Sequence, residues 1–569
     1  MDAGSDFIFS QQTQTVKECA MRRLVILTCF VALVALAGGA YAELQNVQVG
    51  GSLRIRGRYW INGSAGVPAD GTGTGAILGG GGINPNTPLN RFLGRALGPF
   101  GIGTRYDWDK NGSDLTFIEQ RTTIHVNADF TEDVSVFIEL DNYSRWGEDF
   151  RSQDYITGAD GRATFEGNAA EVEVHQAYVE ANDMFGLPIR ARVGRQEIKL
   201  GKGWLVSPII SATVIRSFDA IRLTYTHDWF TVDGFGAKLV DNLTGDEDVD
   251  FAGLQVTVTG LDHLDIALYH LWLRDGRELD DSPRTGAPAS DAIVDWVEDV
   301  MGLNDYDHTN LHTSGIRLNG AWNGLDYDAE FAYQFGTADR AGFYFRPVQT
   351  AAGILGPYGD DEARFSSLAT DVEIGYTIDV VTQPRIYAGC AYLQGEDNRD
   401  ITFGDWLNPF HRGEASLSFN RLFSGSTYTA TADILGGAAS NFSNFIQARG
   451  GISLKPHESI ATGVKVAYFW VDEVFDEPRT LRLGDLSIPI SSLFPWMTKE
   501  SDKDFGLLTT YWLKYNYTED LFVSVGCELF FPGGGANDGN YLQKNGLQNS
   551  GGTNDDLAAY LWIDTGIKF

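Results

Sequence analysis

The chain runs to 569 residues and carries 76 Asp and Glu against 43 Lys and Arg, a formal net charge of −33 at pH 7. Its 66 glycines against 17 prolines, with aromatics at 12%, point to turn-rich β-structure. Leu24 to Gly39 is the one long uncharged apolar run, which excludes a multi-span helical membrane protein.

That run has the layout of an export signal. Met21, Arg22 and Arg23 supply a positive start, Leu24 to Ala37 the apolar stretch, and Ala40-Tyr41-Ala42 a small-x-small cleavage site. Residues 1–42 are therefore expected to be an upstream segment plus signal peptide that is removed, leaving residues 43–569 as a single unit. Cys390 and Cys527 then remain, with no C-x-x-C spacing, and are expected as buried or lipid-facing thiols.

From Ser52 onward, apolar and polar residues alternate over about ten positions at a time, the period-2 signal of strands with two unlike faces. In the first such stretch Leu53, Ile55 and Tyr59 share one face while Arg54, Arg56 and Arg58 share the other. The connectors alternate as well. Ile61 to Leu115 is long, Thr131 to Asp133 short, Tyr143 to Ala170 long and Asn182 to Pro188 short. The series continues with long 240–250, short 260–263, long 274–310, short 322–324, long 336–368, short 379–383, long 394–444, short 455–458, long 471–504, short 517–520 and long 531–556. The expected fold is all-β: a transmembrane antiparallel barrel of about 18 strands, with long extracellular loops and short periplasmic turns. The last nine residues agree, since Leu561, Ile563, Ile567 and the terminal Phe569 share one strand face, the ending that outer-membrane assembly machinery recognises. Within the connector 274–310, Ser290 to Met301 has helical spacing and predicts a short helix over an external loop.

A bilayer admits a β-protein only as a closed barrel, because every backbone polar group must be paired within the protein. An arginine on the lipid face near mid-membrane costs about 2 to 4 kcal/mol. Arg54, Arg56 and Arg58 together would cost roughly 6 to 12 kcal/mol on that scale, as much as a domain's whole stability of about 5 to 15 kcal/mol. They are expected to face the lumen. Arg121, Arg190, Arg192, Arg222, Arg317, Lys465 and Lys514 extend the expected pore-lining set, with Glu119, Asp129, Glu139 and Glu173 as bracing partners. Acidic residues concentrate in connectors such as Gly245 to Asp250 and Lys499 to Asp504, so negative charge is expected mainly outside and basic charge within. Such a lumen selects anions.

Chemistry that would make the barrel an enzyme is missing: there is no G-x-S-x-G, no H-E-x-x-H and no spaced Cys/His set. Leu200 to Gly203 shares residues with a phosphate-binding loop, but Gln196 stands where its first glycine would be and Gly203 replaces the Ser/Thr. His125 and His175 sit in alternating strands and read as hydrogen-bonding residues of the lumen. No cofactor is expected; Asp246, Asp248 and Asp250 offer the hard oxygens that a loop-bound Ca²⁺ would take, though without EF-hand spacing.

Several stretches resemble the bacterial alginate-export family of outer-membrane barrels. They are His175 to Ala181, Val193 to Pro208 with Phe218 to Leu223 after it, Phe419 to Phe423, Ile386 to Asn398 and Cys527 to Gly534. The resemblance implies an electropositive barrel that lets an anionic uronate polysaccharide cross the outer membrane passively, with Arg195, Gln196 and Glu197 of its G-R-Q-E motif shaping the pore wall. The expected partners are outer-membrane lipid, an anionic sugar or polysaccharide and the assembly machinery, and no nucleic acid. A generic small-solute porin and a surface adhesin or scaffold acting through its acidic loops remain as alternatives.

Overall fold

The computed structural model describes residues 45–61, 115–130, 133–146, 172–209, 215–241, 248–276, 308–337, 363–395, 415–425, 428–429, 443–473, 502–537 and 557–569, with four short backbone strands between 476 and 500. Eighteen antiparallel strands form the wall. They are β1 (Asn46–Ile61), β2 (Leu115–Asp129), β3 (Val134–Arg145), β4 (Glu173–Ala181), β5 (Ile189–Gln196) and β6 (Phe218–His227). Next come β7 (Phe230–Val240), β8 (Val249–Leu261), β9 (Leu264–Asp275), β10 (Thr309–Trp322), β11 (Leu325–Thr337) and β12 (Ala363–Thr377). The last are β13 (Arg385–Leu393), β14 (Phe445–His457), β15 (Ile460–Val471), β16 (Asp504–Asn516), β17 (Leu521–Pro532) and β18 (Ala558–Lys568).

Each strand pairs with its neighbour in sequence, and β1 pairs with β18 from Ser52 opposite Lys568 to Ile61 opposite Ala559. The sheet thus closes on itself and leaves no edge, the condition for a sheet to sit in hydrocarbon. Where β13 has ended, Ala415–Leu417 extends the wall by pairing parallel with Ala363–Phe365 of β12.

Alternation decides which face is which. Val49 and Tyr59 of β1, Ile221 and Leu223 of β6, Val523 and Val525 of β17, and Leu561, Ile563 and Ile567 of β18 are all exposed on the outer wall. Cys390 and Cys527 are free thiols on that same outer face, Cys390 exposed and Cys527 half-buried. Exposed aromatics mark two levels: Trp229, Trp322, Tyr376, Tyr515 and Tyr517 near the short-turn rim, and Tyr59, Trp272, Tyr333, Phe335, Trp470 and Phe531 near the other. Two such girdles flank the apolar band of a membrane barrel.

Both chain ends of the described barrel, and every short turn, lie at one rim. The β10–β11 hairpin turns on Asn323 (φ 49°) and Gly324 (φ 84°), both left-handed, as a two-residue turn matched to strand twist requires.

Between the Asn182–Pro188 turn and the connector near 240, the wall contains two features that the sequence alternation passes over: a long connector, 197–217, and the tight turn at Asp228-Trp229. The first escapes because Ile198, Leu200, Trp204, Leu205 and Val206 make it as apolar as a strand. All five are buried, since this connector folds into the barrel. The upstream segment 1–42, the expected helix Ser290 to Met301 and Asp246 lie outside the described residues.

Candidate functional site in the barrel interior

Two connectors meet inside the wall. After β5 the chain makes a tight loop in which Gly203 donates to the Leu200 carbonyl (2.8 Å) and Leu200 to the Val206 carbonyl (3.1 Å). The segment before β14 runs alongside it: Ser207 donates to the Phe423 carbonyl, and Phe423 to that of Leu205, both at 2.9 Å. Trp204, wholly buried, donates its indole N–H to the Tyr428 hydroxyl (2.8 Å) and stacks on Phe419. Phe423 packs against Phe218 and Phe251 of the wall. Two of the family-like stretches, Val193 to Pro208 and Phe419 to Phe423, are therefore partners across a lumen that they narrow.

The wall holds this pair by polar contacts, and those contacts identify the inner face. Gln334 of β11 clasps Asn420 twice, accepting from its backbone N–H (2.7 Å) and donating to its carbonyl (2.6 Å). Lys465 of β15 donates to the Tyr428 carbonyl (2.9 Å), Thr429 meets Glu528 of β17, and Ser443 donates to the Phe419 carbonyl (2.6 Å). Lys202, at the loop tip, reaches Asp371 of β12 (2.6 Å) and Asp328 of β11 (3.0 Å). Burial pulls the Lys202 pKa down, but Asp371 and Asp328 outweigh it and hold the ammonium above the ordinary lysine value. Arg421 is 1% exposed; it donates to Ser424 Oγ (2.6 Å) and the Gly425 carbonyl (3.0 Å) and lies over the Tyr428 ring, while its Nε and Nη1 have no hydrogen-bond partner among the described residues.

Most of the expected residues occupy the inner face, and most are paired. Arg54 forms a bidentate pair with Asp564 of β18, and Arg58 reaches Glu119 (3.5 Å) while lying 4.3 Å from the Trp60 ring centre. Arg56 is buried beside the stacked rings of Tyr560 and Trp562, 5.9 Å from each ring centre. Arg121 pairs with Asp141 (2.8 Å), Arg192 with Glu180 (2.5 Å), Arg222 with Asp233 (2.9 Å) and Arg317 with Asp328 (3.1 Å). Lys514 sits over the Phe522 ring at 4.7 Å, and Arg190 is exposed near the short-turn rim.

Three expectations need correction. Arg195 shares its face with Val193, Val179 and Ile221, on the outer wall, where it pairs with Asp219 at 2.8 and 3.0 Å. Residues two apart share a face, so Arg195 cannot join Arg190 and Arg192. Gln196 does point inward, wholly buried, donating to the Ala220 carbonyl (3.0 Å). The glycine of this motif is demanded by its backbone: Gly194 has φ 129°, and a Cβ there would lie 2.3 Å from the Ala177 carbonyl oxygen.

Secondly, the partners differ from those expected. Glu119 does meet Arg58, but Asp129 accepts from Asn46 and Asn127, and Glu139 meets His175 and Gln176. Thirdly, the interior is not chiefly basic. Asp326, Asp328, Glu330, Asp371 and Glu373 alternate with Arg317, Arg385 and Arg449; Arg385 pairs with Asp326 and Glu373, and Arg449 with Asp371 and Glu373. Taking an arginine out of bulk water costs less when a carboxylate offsets its charge, and most wall cations bring a wall acid. Arg385, Arg449, Lys202 and Arg421 were not among the expected pore-lining residues; Arg449 lies in a plain alternating strand and was detectable, while Lys202 needed the fold. In the acidic connector, Asp248 and Asp250 both contact Lys238.

Among solved structures, similar chains include Pseudomonas aeruginosa OccD3 (OpdP), 10% identical, covering 93% of this chain and 93% of that chain with a TM-score of 0.42. Acinetobacter baumannii OccAB1 is 11% identical, covering 92% and 97% with a TM-score of 0.45. Pseudomonas aeruginosa OprD is 10% identical, covering 93% and 97% with a TM-score of 0.44. No curated protein matches the chain. The family model described as alginate export matches residues 103–541, which takes in β2 to β17 and both inward connectors. With a closed barrel and the paired connectors in the same span, the chain belongs to the alginate export family of outer-membrane β-barrel proteins.

Proposed function

We propose that this barrel is a non-enzymatic channel through which anionic sugars or a uronate polysaccharide pass the outer membrane passively, guided by arginines of its inner wall. The observation that carries this reading is a column of cations laid on aromatic rings along β1 and its neighbours. From the short-turn rim upward, Lys514 and Arg54 lie over Phe522, Arg56 over Tyr560 and Trp562, Arg58 over Trp60, and Arg145 over Phe117. Alternate residues of a strand rise about 6.6 to 6.8 Å, so the column offers positive charge at steps an extended polyanion can follow. The partly exposed Phe117, Phe522 and Trp562 give the apolar faces of sugars a surface, while Trp60 and Tyr560 are buried behind the cations; all five hold the guanidinium and ammonium groups by cation–π attraction without neutralising them. Asp564 and Glu119 temper the charge at Arg54 and Arg58. Arg56 has no carboxylate within ion-pair distance among the described residues and supplies the focus. The terminal strand, ending on exposed Phe569, is proposed as the segment read by assembly machinery.

Planar-bilayer recording across a salt gradient tests this. Anion preference and concentration-dependent block by oligouronates are expected, both weakened in an Arg54→Ala, Arg56→Ala, Arg58→Ala variant. Cation preference without oligouronate block would overturn the reading, and unchanged selectivity in the variant would remove the column from it.

A further inference from the structure

The geometry points to a divalent transition-metal site on the inner wall, built by Glu139 of β3, His175 of β4 and Glu197 just beyond β5. One ligand atom from each lies within 4.8 Å of the others. His175 Nε2 is 3.0 Å from Glu197 Oε1 and 3.9 Å from Glu139 Oε1. Two ligand atoms held about 2.1 Å from a tetrahedral ion stand about 3.4 Å apart, so the observed spacings need only a small movement of Glu139.

The backbone makes this constellation. β3 and β4 change register between Glu139 and Leu140: Gln176 faces Glu139 and Val174 faces Leu140, so His175 is the extra residue of a bulge. In unbroken alternation His175 would share the outer face of Val174's strand neighbours at Ala177 and Val179; the bulge aims it inward, where it is 7% exposed. Gln176 then serves as a positioning residue for both carboxylates. Its amide NH₂ donates to Glu139 Oε1 (3.4 Å), and its oxygen accepts from the Glu197 backbone N–H (3.2 Å).

Charge supplies the second argument. Elsewhere on the wall Asp233, Asp328, Asp371, Glu373 and Asp564 each have an arginine or lysine. Among the described residues neither Glu139 nor Glu197 meets one; the two acids share a single imidazole. One nitrogen and two carboxylate oxygens, one of them on the partly exposed Glu197, suit Zn²⁺ and neighbouring first-row ions. Such an ion would tie β3 and β4 to the root of the connector that carries Lys202 and Trp204. The site's occupancy does not depend on which solute the channel passes.

The test uses the detergent-purified mature barrel, stripped with chelator and titrated with Co²⁺, then with Zn²⁺. One Co²⁺ per chain is expected, with a visible d–d absorption band that Zn²⁺ displaces. His175→Ala should abolish the band and Gln176→Ala should weaken binding by about 10- to 100-fold, as loss of a ligand-orienting group does. Asp248→Asn, in the acidic connector, should leave both unchanged. Absence of the band in the unaltered protein, or its survival in His175→Ala with the same stoichiometry, would overturn the site. If His175→Ala loses its heat-dependent gel shift and so its fold, Glu139→Gln decides instead: an unchanged Co²⁺ affinity there rejects the assignment.

Discussion

Lys202 spans two carboxylates on adjacent strands from the tip of a loop, and that single ammonium couples the constriction to the wall. Its pKa is held above the ordinary lysine value of about 10.4 because Asp371 and Asp328 outweigh the effect of burial. A raised lysine pKa contributes stability that is complete below the unfolded value and is lost as pH rises through the folded one. Channel conductance is therefore expected to stay level from about pH 7 to 9 and to increase only in the alkaline range above about 10.4, as the loop tip is released. Lys202→Met should show the higher conductance already at neutral pH, with no further alkaline step. Level conductance in both proteins up to the strongly alkaline range would detach Lys202 from the constriction.

At the scale of elements, residues 197–209 and 419–425 with Tyr428 behave as one packed unit inside the wall. Trp204 is its largest fully buried side chain, touching Phe419 and Tyr428. Truncation of a buried tryptophan to alanine costs about 3 to 5 kcal/mol, and it leaves the Tyr428 hydroxyl without its donor. The wall's own hydrogen bonds do not run through Trp204, so the cost falls on the inward unit alone. Trp204→Ala is expected to raise single-channel conductance and its fluctuation while the unheated protein still migrates as a barrel on a gel. Loss of the barrel together with the constriction would show that the inward unit is needed for assembly.

For the whole molecule, membrane placement rests on the division of side chains between two faces. Ile563 stands midway along β18 on the outer wall, opposite Gly57 of β1 and Val525 of β17, while Asp564 beside it faces in. Ile563→Arg is expected to destabilise the barrel in lipid by about 2 to 4 kcal/mol, read as a lower denaturant midpoint in vesicles. An arginine at Ser524, on the inner face, should cost far less. Equal penalties at the two positions, or identical migration of heated and unheated protein, would contradict the barrel's placement in a bilayer.

Strand number, face assignment and membrane side were legible in the sequence because each follows from a local rule. Period-2 alternation names the faces, connector length names the rims, and the arithmetic of arginine in hydrocarbon turns Arg54, Arg56 and Arg58 inward. Arg195 is expected inward with the family motif, whereas the same local rule, a strict count of positions from Arg192, puts it outside, where the structure has it. Other features were settled by the tertiary structure alone. The apolar connector after β5 looks like wall until the barrel gives it an interior to enter. The match of Lys202 to Asp371 spans 169 positions of chain, and the meeting of His175 with Glu139 and Glu197 depends on one extra residue in β4. Alternation is a property of neighbours along the chain, whereas ion pairs, bulge-directed side chains and folded-in loops depend on which distant strands closure brings together.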